Sequence, residues 1–199
     1  ARQVAALDRD NAQGEYYLTD VIGRVRAAGG TVASVQPRHD WEVRGVNNRS
    51  QLAALERTWQ RHLAEGLMAT GVSLRDPDRI DIRGSLAADG DTLIDVGCVF
   101  EGEVRVGSGV TIGAHCVLRD TVVADDVVIE PHTVIERSEL GTGCRIGPFA
   151  RVRPGCRVGI GAKIGNFVET KNADLDADAK INHLAYVGDA SVGASANVG

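Results

Sequence analysis

The stretch "ELGTGCRIGPFARVRPGCRVGIGAKIGNFVETK", Glu139 to Lys171, decides the fold. A residue suited to a buried position returns every six places, at Leu140, Ile146, Val152, Val158, Ile164 and Thr170. Two places earlier stands a small residue: Cys144, Ala150, Cys156 or Ala162. Toward the N-terminus the count continues through Ile135, Ile129 and Val123, then Leu118, Ile112, Val106, Phe100 and Ile94. Toward the C-terminus it continues through Leu175, Ile181, Val187, Val192 and Val198. Single steps of five interrupt the sixes. The small companions recur along the way as Cys98, Val110, Cys116, Thr133, Ala179, Ala185, Ala190 and Ala196. Neither a helix of period 3.6 nor a simple alternating strand gives this pattern. A hexapeptide period signals a parallel β-helix, in which each coil stacks on the last and buries a continuous core. All four cysteines, Cys98, Cys116, Cys144 and Cys156, fall at the small position of a tight interior corner. Packed thiols are therefore expected rather than disulfides or a zinc site.

The repeat is similar to that of the hexapeptide transferases. That resemblance implies a left-handed helix, three hexapeptides per triangular coil, and a homotrimer. The chain of 199 residues is 43% hydrophobic but only 4% aromatic, so small aliphatics must build the core. A net charge of −5 argues against nonspecific nucleic-acid binding. No signal peptide or membrane-spanning apolar run is visible, so a cytoplasmic protein without a membrane partner is expected. The chain opens without methionine and closes in mid-repeat, and a fragment of a longer protein is expected.

Three segments are read. Residues 1–49 look like the end of an α/β domain, with a helix over "EYYLTDVIGRVRAAGG", a strand at "TVASVQ", and a short strand and polar turn in "EVRGVNNRSQL". Residues 50–70 read as a linker helix capped by Ser50 and ended by Gly71, with Leu52, Leu55, Trp59, Leu63 and Leu67 on one face. Residues 71–199 hold the β-helix. "LRDPDRIDIRG" serves as a turn-rich entry, after which the period begins.

With three hexapeptides per coil, the inward positions form columns. Val152, Thr170 and Val187 share one; Ile164, Ile181 and Val198 share the column before it. Arg153 and Lys171 then stand one coil apart on the same edge. Tyr186 stands on the next coil, His183 on the segment running into that corner, and Asn197 one coil further along the preceding column. Two stacked cations, an imidazole, a hydroxyl and an amide suit a sugar phosphate. A solvated edge with scattered polar residues is the plain alternative. His115 and His132 stack one coil apart, but no third ligand lies in register for zinc.

The segments "RIGPFARVRPG", "IGNFVETK" and "INHLAYVGDA", with "GEYYLTD", "GVNNRSQL" and "LRDPDRIDIRG", resemble one family closely. It is the bifunctional N-acetylglucosamine-1-phosphate uridyltransferase/glucosamine-1-phosphate acetyltransferase family. The resemblance runs through essentially the whole chain. It implies acetylation of glucosamine 1-phosphate by acetyl-CoA, then coupling of N-acetylglucosamine 1-phosphate to UTP, giving UDP-N-acetylglucosamine for peptidoglycan and lipopolysaccharide synthesis. It makes His183 the general base and Arg153, Lys171, Tyr186 and Asn197 substrate-binding residues. It makes Asn47 a substrate and Mg2+ ligand whose partner aspartate lies in a nucleotidyltransferase domain that this sequence does not include. The family's glycine-rich nucleotide loop is missing, and the sequence stops where the acetyl-CoA coils should continue. Weak or no activity is therefore expected of the piece itself. Another hexapeptide acyltransferase acting on a different sugar nucleotide, or a non-catalytic trimeric scaffold, remains the alternative.

Overall fold

A computed structural model describes residues 2–199. The chain divides into two compact units, Ala1–Gly45 and Val46–Gly199. The first holds helices α1 (Arg2–Ala5) and α2 (Asp20–Ala27) and a 3-10 turn at Asp40–Val43. Asn11 organises the loop between the helices. Its side-chain oxygen accepts from the Gln13 and Glu15 amides, and its nitrogen donates to the Glu15 carbonyl. That loop takes residues 15–19 out of the expected helix, which begins only at Asp20. "TVASVQ" forms no strand, and the strand expected at "EVRG" is replaced by the 3-10 turn. A strand persists only where a neighbour pairs with its backbone, and among the described residues of this unit no segment does so.

The second unit opens with α3 (Arg49–Ala69). Its N-cap is Asn48, not Ser50. The Asn48 side-chain oxygen accepts from the Gln51 amide at 2.9 Å, three residues on, as a capping residue must. At the other end Thr70 is the C-cap and Gly71 follows with φ +98°, as the sequence led us to expect. The buried face matches the expected one only at its C-terminal end, where Leu63 and Leu67 pack on the core, and is turned from it elsewhere. Gln60, Ala64 and Leu67 are buried, whereas Leu52 and Trp59 are exposed. The reason lies in what α3 covers. The strand Ile80–Ala88 pairs with Cys98–Val106 alone, so its outer edge presents unpaired backbone groups. Gln60 answers both groups of Ile82, accepting from its N–H at 2.7 Å and donating to its carbonyl at 2.9 Å. Arg57 pairs with Asp81, and Arg61 with Asp78, on either side. The helix thus caps a β edge that would otherwise be open to pairing.

Beyond α3 the chain is a parallel β-helix. One face is an eight-stranded sheet with one strand per coil, from Ser73–Leu74 to Asn197–Val198. A ten-stranded sheet forms the other two faces. It wraps a corner because the strands Ile80–Ala88, Cys98–Val106, Glu169–Leu175 and Tyr186–Val192 run through it unbroken. Every pairing is parallel and in register, as in Ile112 beside Ile129 and Ile146 beside Ile164. Each corner is turned by one residue in the left-handed region, such as Asp126, His132 and Arg137 within one coil. The helix starts a coil earlier than the six-residue count implied, since Ile82 and Ala88 pair with Phe100 and Val106.

The counted inward positions are the core. From Ile94 through Ile181 all are buried, and only Val187 and Val198, in the last coil, are half-buried. The large aliphatics among them contribute about 1.5–3 kcal/mol each. The four cysteines are free and buried at the corners. The thiols of Cys98 and Cys116 donate to the Gly113 and Glu130 carbonyls at 3.2 Å. Burial pushes the Cys144 thiol up to about 12. Among the described residues no helix is long and apolar enough to cross a membrane.

Candidate functional site

The register that buries the aliphatics also lines up the outward side chains beside them. On the face built by the first halves of the long strands, Arg83, Glu101, Arg119 and Glu136 occupy successive rungs. They form a continuous ion-pair ladder, Arg83 to Glu101, Glu101 to Arg119, and Arg119 to Glu136. Opposite charges on neighbouring rungs are the favourable arrangement. The next rung, Arg153, keeps the alternation, and the one after it, Lys171, breaks it. Arg153 follows Val152, Lys171 follows Thr170, and Val152 pairs with Thr170. Two cations therefore stand on adjacent rungs, about 4.8 Å apart along the helix axis. The rung after Lys171 is Gly188, which carries no side chain.

Carboxylates from flanking positions hold the two cations. Arg153 Nη1 donates to Glu169 Oε1 at 3.1 Å, and Lys171 Nζ lies 3.4 Å from Asp189 Oδ2. The other Asp189 oxygen accepts from Asn172 Nδ2 at 2.9 Å. That hydrogen bond, then the charges of Lys171 and Arg153, hold the Asp189 carboxyl below the usual carboxylate range. Both cations stay about two-fifths exposed, so an incoming anion can reach them. Tyr186 pairs with Glu169 on the same sheet, and its phenol swings across the open rung at Gly188. The hydroxyl is thereby set in line with Arg153 and Lys171.

His183 lies on the eight-stranded face, paired with Asn166, one residue before the corner residue Leu184. Its imidazole is exposed and has no hydrogen-bond or ion-pair partner among the described residues. Asn197 is one coil on, paired with Lys180, and its side-chain oxygen accepts from Asn182, the residue before His183. The corner thus has the cations and phenol on one side and the imidazole and amides on the other. This arrangement can hold a phosphate at one end and take a proton at the other.

Asn47 is not brought to this edge. It sits just before α3, where its backbone N–H donates to Gln51 Oε1 at 2.7 Å. One amide oxygen supplies one ligand of the six that magnesium takes. Among the described residues no three or more His, Cys, Asp or Glu side chains gather as a metal site. Asn47 alone does not make a magnesium site. His115 and His132 do stack, with ring centroids 5.2 Å apart. The stack continues through Phe149 at 4.9 Å and Phe167 at a further 5.2 Å, forming an aromatic edge at the corner that carries Leu184.

Sequence reasoning missed Glu169, Asp189 and Asn172. The same column count puts Glu169 beside Tyr186 and Asp189 beside Asn172, but it does not say which cation each carboxylate reaches. The aromatic edge could have been found likewise, because its members recur at 17 or 18 residues.

Comparison with known proteins follows the same lines. Residues 82–160 match the family model of the GMPPB C-terminal domain. Over 196 residues, 98% of the chain, it is 50% identical to the bifunctional protein GlmU of Burkholderia mallei (strain SAVP1). It is 54% identical to that of Bordetella petrii over the same extent. The chain spans 43% of the length of each of these curated relatives. Among solved structures, a point mutant of AntD, an N-acyltransferase from Bacillus cereus in complex with dTDP and coenzyme A, is 17% identical. That likeness covers 53% of this chain and 76% of the other, with a TM-score of 0.47.

Proposed function

We propose, from this homology to the GlmU proteins, that the chain carries the acetyl-acceptor site of a bifunctional enzyme. The enzyme acetylates glucosamine 1-phosphate with acetyl-CoA, and a second activity couples the product to UTP. The observation that carries the reading is the break in the charge ladder. Arg153 and Lys171 stand on adjacent rungs where every earlier rung alternates, and the free imidazole of His183 lies across the corner.

In this reading Arg153 and Lys171 hold the phosphate oxygens, the guanidinium as a planar fork and the ammonium as a point charge. The Tyr186 hydroxyl and the Asn197 amide orient the sugar. His183 takes a proton from the sugar ammonium, and the freed amine attacks the thioester carbonyl. The tetrahedral intermediate expels coenzyme A as its thiol and leaves the acetamide. Asn47 would contribute one oxygen to the Mg2+ of the uridylyl site, completed by residues outside this chain.

Residues 1–49 would close a nucleotidyltransferase domain, residues 50–70 link it, and residues 71–199 form the acetyltransferase domain. The location would be cytoplasmic. A homotrimer is part of the proposal, and the aromatic edge supports it. Ala114, Pro131 and Pro148 precede that corner, Phe149 and Phe167 stand on it with about half their surface exposed, and Val99, Val117 and Val134 follow it, giving way to Arg151 and Glu169 in the later coils. Half-exposed aromatic rings on one edge suit an interface between copies of the chain.

Calorimetric titration tests the site. Glucosamine 1-phosphate should bind, and binding should weaken in Arg153→Ala. Glucosamine without phosphate should bind far more weakly. Equal binding of the two sugars would remove the phosphate site and the proposal with it.

A further inference from the structure

We infer that Gly188 is a positioning residue for the acceptor site, and this rests on the function proposed above. The outward ladder Arg153, Lys171, Gly188 loses its side chain at the third rung. The vacated space is filled by the Tyr186 phenol. A Cβ built on Gly188 would stand 2.6 Å from Tyr186 Cζ and 2.9 Å from Cε1, and closer still to the hydroxyl oxygen. Real Cβ atoms do not approach that closely, so any side chain at this position displaces the ring.

Backbone conformation is not what selects glycine here. Gly188 does not lie in the left-handed region, unlike Gly143 or Gly155. Its neighbour Asp189 does, with φ +49°, and supplies the turn. The space Gly188 leaves is therefore what the site uses. An alanine would be accepted by the strand, because the atom it meets first is the far end of an exposed, movable side chain. The cost would fall on the site and not on the fold.

The empty rung has a chemical consequence. A long side chain at position 188 would continue the ladder as a third charge or as a steric plug. With glycine there, Tyr186 puts a neutral donor in line with two cations, two rungs from Arg153. A phosphate on Arg153 and Lys171 then meets a hydroxyl at the next rung. A phenol can donate there to an oxygen next to the phosphate, such as the ester or ring oxygen of a sugar 1-phosphate.

Two measurements test the inference. In the first, nuclear Overhauser contacts are sought between the Tyr186 ring protons and the Gly188 α protons of the unliganded protein. Strong contacts are expected, and their absence overturns the inference without touching the proposed function. In the second, glucosamine 1-phosphate is titrated into the native protein, Tyr186→Phe, Gly188→Ala and the double variant. Each single variant should lose roughly 3–10-fold in affinity, the range of one uncharged hydrogen bond. The double variant should lose no more than either single one, since both remove the same contact. Thermal unfolding of Gly188→Ala should match that of the native protein. Native affinity in Gly188→Ala beside a weakened Tyr186→Phe overturns the inference, as do losses that multiply. Absence of binding to the native protein instead overturns the function on which it rests.

Discussion

Replacing Lys171 by alanine has two effects that the structure separates. It removes a cation from the phosphate, and it releases Asp189 from the ammonium that faces it. Hydrogen bonds to charged groups contribute about 1.5–3 kcal/mol, or roughly 10–150-fold in affinity. Lys171 is about two-fifths exposed, so its own loss belongs at the lower end of that range. The second effect adds to the first. Asp189 keeps its hydrogen bond from Asn172 and stays ionised, so a bare carboxylate remains beside the phosphate position. Lys171→Ala should therefore weaken glucosamine 1-phosphate by about 100-fold. Adding Asp189→Asn should restore several-fold, because the amide removes the repulsion. Calorimetry at low salt reads both numbers, and the restored part should shrink as salt rises. A double variant weaker than Lys171→Ala would show that Asp189 helps to hold the substrate, and would refute this account of the site.

Three further outcomes follow from the fold. Gln60→Leu leaves the N–H and carbonyl of Ile82 buried without partners, and should destabilise the second unit by about 2–5 kcal/mol in urea unfolding. Thiol labelling at pH 8 in the native state should be slow at Cys144. Its raised ionisation keeps the thiol protonated until well above that pH, and labelling should become fast on unfolding. Phe149→Ser with Phe167→Ser should reduce self-association in analytical ultracentrifugation without lowering the unfolding midpoint of the monomer, because both rings are about half exposed in the single chain.

The β-helix could be read from the sequence because its signal is strictly one-dimensional. A buried residue at every sixth place, with cysteine or alanine two before it, needs no knowledge of what lies elsewhere. The column containing Val152, Thr170 and Val187 followed from the same arithmetic and is present as counted. What the period could not supply was anything set by a contact outside it. The buried face of α3 is set by the bare edge at Ile82, which Gln60 satisfies, so the apolar stripe held at Leu63 and Leu67 but misled at Leu52 and Trp59. "TVASVQ" has strand composition but no neighbour to pair with. Asn48 competes with Ser50 as cap, and the backbone decides which side chain reaches a free N–H. At the site, Arg153, Lys171 and Tyr186 were legible as neighbours. Their restraint by Glu169 and Asp189, and the vacancy at Gly188 that admits the phenol, depend on side-chain direction that spacing alone does not give.

Acceptor-dependent release of coenzyme A thiol from acetyl-CoA is the most direct test of the central claim. It should be followed in the full-length gene product with glucosamine 1-phosphate, for the native enzyme and for His183→Ala. The account predicts release in the native enzyme that collapses in the variant while glucosamine 1-phosphate still binds. Undiminished release in His183→Ala would contradict the role given to that imidazole, and no release from the folded native enzyme would contradict the acetyl-acceptor site itself.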